Sequence, residues 1–308
     1  MDLQILATSD THGKFDPWDY AANKADASGS VAQQATAIKQ CRTRNTLVVD
    51  AGDTIQANSA ELFLNDDLHP MVAAMNAIGY DIWTTGNHEY NYGMATLEKV
   101  LSQQKAKVLT GNVYSPEGKP LADGYTIIKK GTVKIGVIGM VTPNIIRWDA
   151  KNLEGWKVTN PVDESRKIID KIKDQVDVLI GVMHMDTENE YGVYGSGVTD
   201  LANACPEFDV IVGGHGRSRD AVGGVDAFAQ VDCLVRGIVV VGKVSPRGGH
   251  GDVVDAVVAQ HLFRHLTARQ PSCHRYLGVF GEYGLQPSLY DKADNPDDYQ
   301  QPPLYCHR

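Results

Sequence analysis

Short apolar, β-prone runs that stop abruptly at polar clusters constrain this chain more than any other feature. Leu3 to Thr8 ends in Ser9-Asp10-Thr11-His12-Gly13, and Thr46 to Val49 runs into Asp50-Ala51-Gly52-Asp53. Ile82 to Thr85 stops at Gly86-Asn87-His88-Glu89, Asp177 to Met183 at His184, and Phe208 to Val212 at Gly213-Gly214-His215. Segments with helical spacing lie between them. Val31 to Arg42 is one, His69 to Ile78 closed by Gly79 is a second, and Met94 to Gln104 is a third. A further helix opens at Asn160-Pro161, with Asp163 and Glu164 in its first turn and Ile168, Ile169 and Ile172 as its apolar stripe. Tyr125 to Lys129 and Val133 to Val141 read as a hairpin around Lys130-Gly131-Thr132. The alternation through about residue 215 predicts a layered α/β domain with its site along one sheet edge, because open α/β sheets gather ligands at the carboxyl ends of their strands.

Composition narrows the function classes. The chain has 308 residues, enough for a sizeable core, and its 43% hydrophobic and 22% charged residues describe a globular protein. A formal net charge of −9 argues against a duplex nucleic-acid partner but leaves an anionic substrate open if bound metal supplies positive charge. No apolar run approaches the roughly 20 residues of a membrane span. The opening MDLQILATSD has neither a basic n-region nor a cleavage site. The five cysteines are scattered without CxxC spacing, which fits neither a zinc knuckle nor a disulfide framework.

Each strand-end cluster alone has an ordinary explanation: Asp10 could cap a turn, Asp53 an Asx-turn, and His184 could be a core histidine bonded to backbone. Five in series change the reading. Carboxylates, imidazoles and one amide form a mixed N/O donor set suited to Mn, Fe, Co or Zn rather than to calcium. The donors are too many for one ion, and a shared carboxylate is the usual bridge in a hydrolytic metal pair.

These motifs (DTH at Asp10 to His12, GD at Gly52-Asp53, GNHE at Gly86 to Glu89, the strand-final His184, and GGH at Gly213 to His215) resemble the calcineurin-like metallophosphoesterases. GNHEYNYG and KIGVIGMVTPN are similar more narrowly to the catalytic domain of the 5'-nucleotidase and 2',3'-cyclic-nucleotide 2'-phosphodiesterase group. The resemblance covers about residues 2 to 216 and implies a four-layer α/β/β/α sandwich. It implies two divalent ions, with Asp10 and His12 on the first, Asp53 bridging, and Asn87, His184 and His215 on the second. It places His88 beside the phosphate as a catalytic rather than ligating residue, with Asn91 as its orienting partner. The implied substrate is a small phosphoester, a nucleotide with a cyclic or monoester phosphate, and the implied parent protein works outside the cytoplasm.

Two residues depart from the family pattern. The family places a second ligand of the first metal, His or Gln, where this chain has Arg217. A guanidinium has no lone pair to give, so the first site is expected to be weak. Asn91 stands where nucleotidase relatives carry Asp, and it lacks the negative charge an Asp would set beside His88. The cyclic-phosphodiesterase branch tolerates this Asn.

The texture also changes after Gly216. Residues 1–216 hold fifteen lysines and four arginines, whereas residues 217–308 hold two lysines and eight arginines. Residues 1–216 are therefore expected to form the catalytic domain, and residues 217–308 an atypical segment, either an unrelated extension or a frame-shifted reading. In that segment Ile238 to Val241 reads as a strand, Val253 to Leu266 as a helix, and the end from about Gln286 as poorly ordered.

Overall fold

Strands buried on both faces need near-continuous apolar side chains, and the central strands here carry them. The computed structural model describes residues 3–20 and 22–216, with the backbone of two further strands beyond them. In chain order the principal elements begin β1 (Leu3–Thr8), α1 (Val31–Cys41), β2 (Thr46–Asp50), α2 (Pro70–Ile78), β3 (Ile82–Thr84), α3 (Met94–Ser102) and β4 (Lys107–Leu109). They continue with β5 (Tyr125–Lys130), β6 (Val133–Val141), the single turn α4 (Ile145–Trp148), α5 (Pro161–Ile172), β7 (Val178–Met185), α6 (Val198–Ala204) and β8 (Val210–His215). The last two are β9 (Phe228–Gln230) and β10 (Val239–Val244).

Two five-stranded sheets result, in the orders β10-β1-β2-β3-β4 and β9-β8-β7-β6-β5. β1, β2, β3 and β4 are mutually parallel, so their carboxyl ends share one edge, while β10 runs antiparallel beside β1. In the second sheet β6, β7, β8 and β9 are parallel, and β5 pairs back on β6 as the expected hairpin, with Lys130 opposite Val133. β9 and β10 come from beyond residue 216 and take an edge of each sheet. The expected strand at Ile238 to Val241 is β10, shifted a little along the chain; the expected helix at Val253 to Leu266 and the tail from Gln286 lie outside the described residues.

Period-two alternation decides which side chains meet which layer. Leu6, Val48 and Trp83 face α1, α2 and α3 and join Val31, Ile38, Met71, Met75 and Val100 in one core cluster. Ile138, Met140, Leu179, Met183 and Ile211 face α5 and α6 and pack with Ile169, Ile172 and Leu201 in another. The alternate residues, including Ile5, Leu47 and Val49, are fully buried and face the opposite sheet. A Cβ on Gly139 of β6 would collide with Leu109 and Thr84, so this glycine lets the two sheets approach closely. The layers are helix, sheet, sheet, helix.

Local signals placed the helices. Asn160 caps α5, its side chain accepting hydrogen bonds from Val162 N–H at 2.8 Å and Asp163 N–H at 3.4 Å, with Pro161 in the first turn. Gly79 closes α2 in the left-handed conformation at φ 78°. The helix after β3 begins at Met94, where it was expected. His88–Tyr92 forms a separate 3-10 turn, and Gly93 breaks it from α3.

Candidate metal centre

Five chain turns converge, and they come from both sheets rather than from the single sheet edge expected. Asp10 and His12 follow β1, Asp53 follows β2, and Asn87 and His88 follow β3; His184 lies in β7 and His215 ends β8. A site built between two facing sheets can surround its contents, which one edge cannot do.

The backbone reports the same convergence. Asp10, His12, Asp53 and His215 all adopt positive φ, at 53°, 48°, 57° and 78°. Each such non-glycine residue costs about 1 kcal/mol or more and persists only where neighbours impose it. Backbone bonds across the first two turns impose it: Asp10 N–H to Gly52 O at 2.9 Å, His12 N–H to Asp53 O at 2.9 Å and Gly13 N–H to Thr54 O at 2.8 Å. Gly86 is required where the third turn arrives, because a Cβ there would drive into the Asp53 carboxylate and amide.

Glu89 fastens the third turn to the second. It is fully buried, and its carboxylate accepts from the backbone N–H groups of Asp53 at 2.8 Å, Thr54 at 2.6 Å, Ile55 at 3.2 Å and Gly86 at 2.5 Å. Burial and the nearby Asp53 charge push the Glu89 carboxyl up, and the N–H bonds offset this only in part. The sequence displayed Glu89 inside GNHE, yet nothing in its neighbours announced that it would serve backbone amides in another loop.

Two groups of side chains bring ligand atoms within 4.8 Å of one another: Asp10, His12 and Asp53 in one, Asp53, His184 and His215 in the other. Asp53 belongs to both. Its Oδ2 stands 3.2 Å from His184 Nε2, and its Oδ1 accepts from the His88 N–H at 2.8 Å. His184 Nδ1 lies 2.6 Å from the Ala51 carbonyl, which can only accept. That ring nitrogen therefore carries the proton, and Nε2 is turned inward toward Asp53 and the Asn87 Oδ1, 3.0 Å away. His12 Nδ1 is held by Gln56 Oε1 at 3.0 Å, and Asp10 Oδ2 accepts from Ser9 Oγ and from the His215 N–H at 3.2 Å.

Electrostatics point the same way. Burial would lower the His184 ring, but the Asp53 carboxylate, with Asp10 and Glu89 behind it, holds it up at about 10. Burial likewise opposes the charge on Asp53, yet His184, His88 and His12 hold its carboxyl well below the usual range. An enclosed set of carboxylates that recruits a proton at its centre is one that fits a cation there. All six sequence-predicted ligands surround this centre, with His88 and Asn91 beside it. His88 Nε2 is 4.0 Å from Asp53 Oδ2, and its ring meets that of His12 edge-on at 5.3 Å. Arg217 lies outside the described residues.

The rim holds residues the sequence reading passed over. Trp148 stacks on His215 with ring centroids 5.3 Å apart, and its Nε1 donates to the hydroxyl of the exposed Tyr191 at 3.2 Å. The Arg147 guanidinium covers the Tyr191 ring at 4.4 Å. Glu190 Oε1 sits 3.3 Å from His215 Nε2. No strand-end pattern marks these positions, because they lie several residues past the ends of β6 and β7 rather than directly after them.

Paired ligand groups sharing one carboxylate, set between two facing sheets, define a metal-dependent phosphoester-hydrolase architecture. Residues 3–216 match the family described as calcineurin-like phosphoesterase, and the chain belongs to that family. Over 238 residues it is 35% identical to the trifunctional nucleotide phosphoesterase protein YfkN of Bacillus subtilis, covering 69% of this chain and 16% of that protein. It is 30% identical to the 2',3'-cyclic-nucleotide 2'-phosphodiesterase/3'-nucleotidase of Haemophilus influenzae, covering 70% of this chain and 36% of the relative. The chain thus spans only a minor part of the length of these curated relatives. The crystal structure of the calcineurin-like phosphoesterase YfkN superposes with a TM-score of 0.70 at 30% identity, over 82% of this chain and 88% of that one. Among the described residues no helix is long and apolar enough to cross a membrane.

Proposed function

We propose that this chain is a dinuclear metal-dependent phosphoester hydrolase acting on nucleotides, of the 2',3'-cyclic phosphodiesterase or 3'- or 5'-nucleotidase kind. The observation that carries the reading is the membership of Asp53 in two ligand groups, Asp10/His12/Asp53 and Asp53/His184/His215. Asn87 completes the second group through its Oδ1. When bound there, divalent ions (Mn, Zn, Fe or Co) would supply charge against the phosphoryl oxygens and lower the pKa of water.

The chain's own residues do the rest. His184 offers Nε2 because Ala51 O holds its other nitrogen. His88 takes no part in either ligand group and keeps Nε2 on the site side, where it can hold a proton against the phosphoryl group or deliver it to the leaving oxygen. The aromatic rim of Trp148 and Tyr191 favours a planar leaving group, which agrees with the nucleotide activities named for the relatives. We assign the parent protein to an extracytoplasmic setting on the same family grounds.

The test pairs elemental metal content with phosphate release from 2',3'-cyclic AMP and from AMP. Two metals per chain, and a fall on the order of 10²- to 10³-fold in rate for His88→Ala, are the expected results. One metal and no turnover would instead support a second reading that Arg217 favours, a degenerate member that binds metal or phosphate without hydrolysis.

A further inference from the structure

His88 is held by a chain of contacts that ends on a carboxylate. Its Nδ1 lies 2.7 Å from Asn91 Oδ1, and Asn91 Nδ2 lies 3.2 and 3.1 Å from the two oxygens of Asp149. Asp149 is only 9% exposed and sits just past α4, in another part of the chain. Asn152 secures the junction: its Nδ2 lies 3.0 Å from Tyr90 O, 3.0 Å from Asn91 O and 3.2 Å from Asp149 Oδ1.

Donor and acceptor chemistry fixes every step of this chain. A carboxylate can only accept, so Asn91 must turn its NH2 toward Asp149. Its carbonyl oxygen then faces His88, and because that oxygen can only accept, Nδ1 must be the ring nitrogen that carries hydrogen. Nε2 is left facing the metal centre. Without Asp149, nothing among the contacts of Asn91 decides between its two amide orientations. The flipped one would present NH2 to Nδ1 and move the proton of the neutral ring to Nε2. It would also leave Nδ1–H no acceptor when the ring carries protons on both nitrogens, the form that can give one to the leaving oxygen while Nδ1 stays bonded.

We propose that Asp149 is a positioning residue that sets the tautomer and orientation of His88 through Asn91. It thereby supplies, from a distant loop, the carboxylate that Asn91 itself lacks. This rests on the hydrolase reading for its consequence in catalysis, but not for the tautomer itself.

The test uses the full chain saturated with Zn²⁺, with ¹⁵N-labelled histidine, and long-range ¹H–¹⁵N correlation of the neutral His88 ring. The wild type should show the Nδ1–H form alone, and Asp149→Ala a mixture of both tautomers. In parallel, kcat on the best of 2',3'-cyclic AMP and AMP should fall about tenfold in Asp149→Ala with KM nearly unchanged. Asn91→Asp places a carboxylate directly on Nδ1, so the double variant Asn91→Asp/Asp149→Ala should regain the single tautomer and most of kcat. A merely structural Asp149 would give neither the mixture nor the rescue. An unchanged tautomer in Asp149→Ala, or a double variant no better than Asp149→Ala in tautomer and kcat, overturns the proposal. Should Asp149→Ala not fold, Asp149→Asn carries the same expectation at smaller amplitude, because its amide can offer Asn91 either a donor or an acceptor. A wild type without turnover counts against the hydrolase reading alone; the tautomer result then decides the positioning role.

Discussion

Glu89→Gln should unfasten the metal centre while changing almost nothing in side-chain volume. The wild-type carboxylate accepts four backbone N–H groups, two on each oxygen: Thr54 and Ile55 on Oε1, Asp53 and Gly86 on Oε2. A glutamine keeps one oxygen and puts an NH2 where the other stood, so two buried N–H groups face a donor. Each lost acceptor costs about 1–3 kcal/mol, so the variant should lose about 2–6 kcal/mol of stability. That is a large fraction of the roughly 5–15 kcal/mol of an ordinary domain. Urea unfolding in the presence of a chelator measures the loss free of any metal contribution. Glu98→Gln on the exposed face of α3 is the control and should stay within about 0.5 kcal/mol of the wild type. Because Glu89 holds the Asp53 and Asn87 turns in register, bound metal should fall as well. A loss under about 1 kcal/mol with unchanged metal content would refute the idea that this carboxylate assembles the loops.

Asp50 gives a pH signature. It is almost fully buried, and burial pushes its carboxyl from the ordinary 3.8 to about 7 against the bonds from Thr8, Gly52 and Thr54. The folded state therefore keeps a proton that the unfolded state loses across this interval, so this group's contribution to stability is greatest below pH 3.8 and is lost as pH rises to about 7. Asp50→Asn should remove that slope and be more stable than the wild type by up to about 4 kcal/mol at pH 8, with no gain at pH 4; parallel curves would exclude the assignment. Asn160→Ala removes the cap of α5 and should cost about 1 kcal/mol in the same unfolding assay, whereas a change near zero would mean that packing alone sets the start of this helix. Arg217→His should raise metal stoichiometry toward two if the arginine weakens the first site, and unchanged stoichiometry would remove that explanation.

Much of the site was legible because its donors sit immediately after apolar runs, where a chain leaving a buried strand has its first chance to expose polar groups. Asp10, Asp53, Asn87 and His215 could be picked out for that reason, as could His184 at the end of its strand. Glu89 was visible as a residue but not in its role, because a carboxylate bonded to backbone amides leaves no mark on the identity of the residues it serves. Asp149 was invisible for a similar reason: its partner Asn91 lies 58 positions away in sequence, and only folding brings the pair together. The hairpin of β5 and β6, the cap at Asn160 and the Gly79 stop were readable because their signals are local. The 3-10 turn at His88–Tyr92 was not, since a single short turn between a strand end and a helix carries no periodicity of its own.

By itself, then, the amino-acid order determined the α/β alternation and singled out the candidate donors, because periodicity, capping and ligand chemistry are properties of a residue and its near neighbours. The tertiary structure decided that the donors come from two facing sheets, that Asp53 stands between both groups, and that Asn91 links His88 to a carboxylate in a remote loop. Those facts depend on which strands pair and how closely two layers approach, and that is set by packing summed over the whole core rather than by any one stretch of chain.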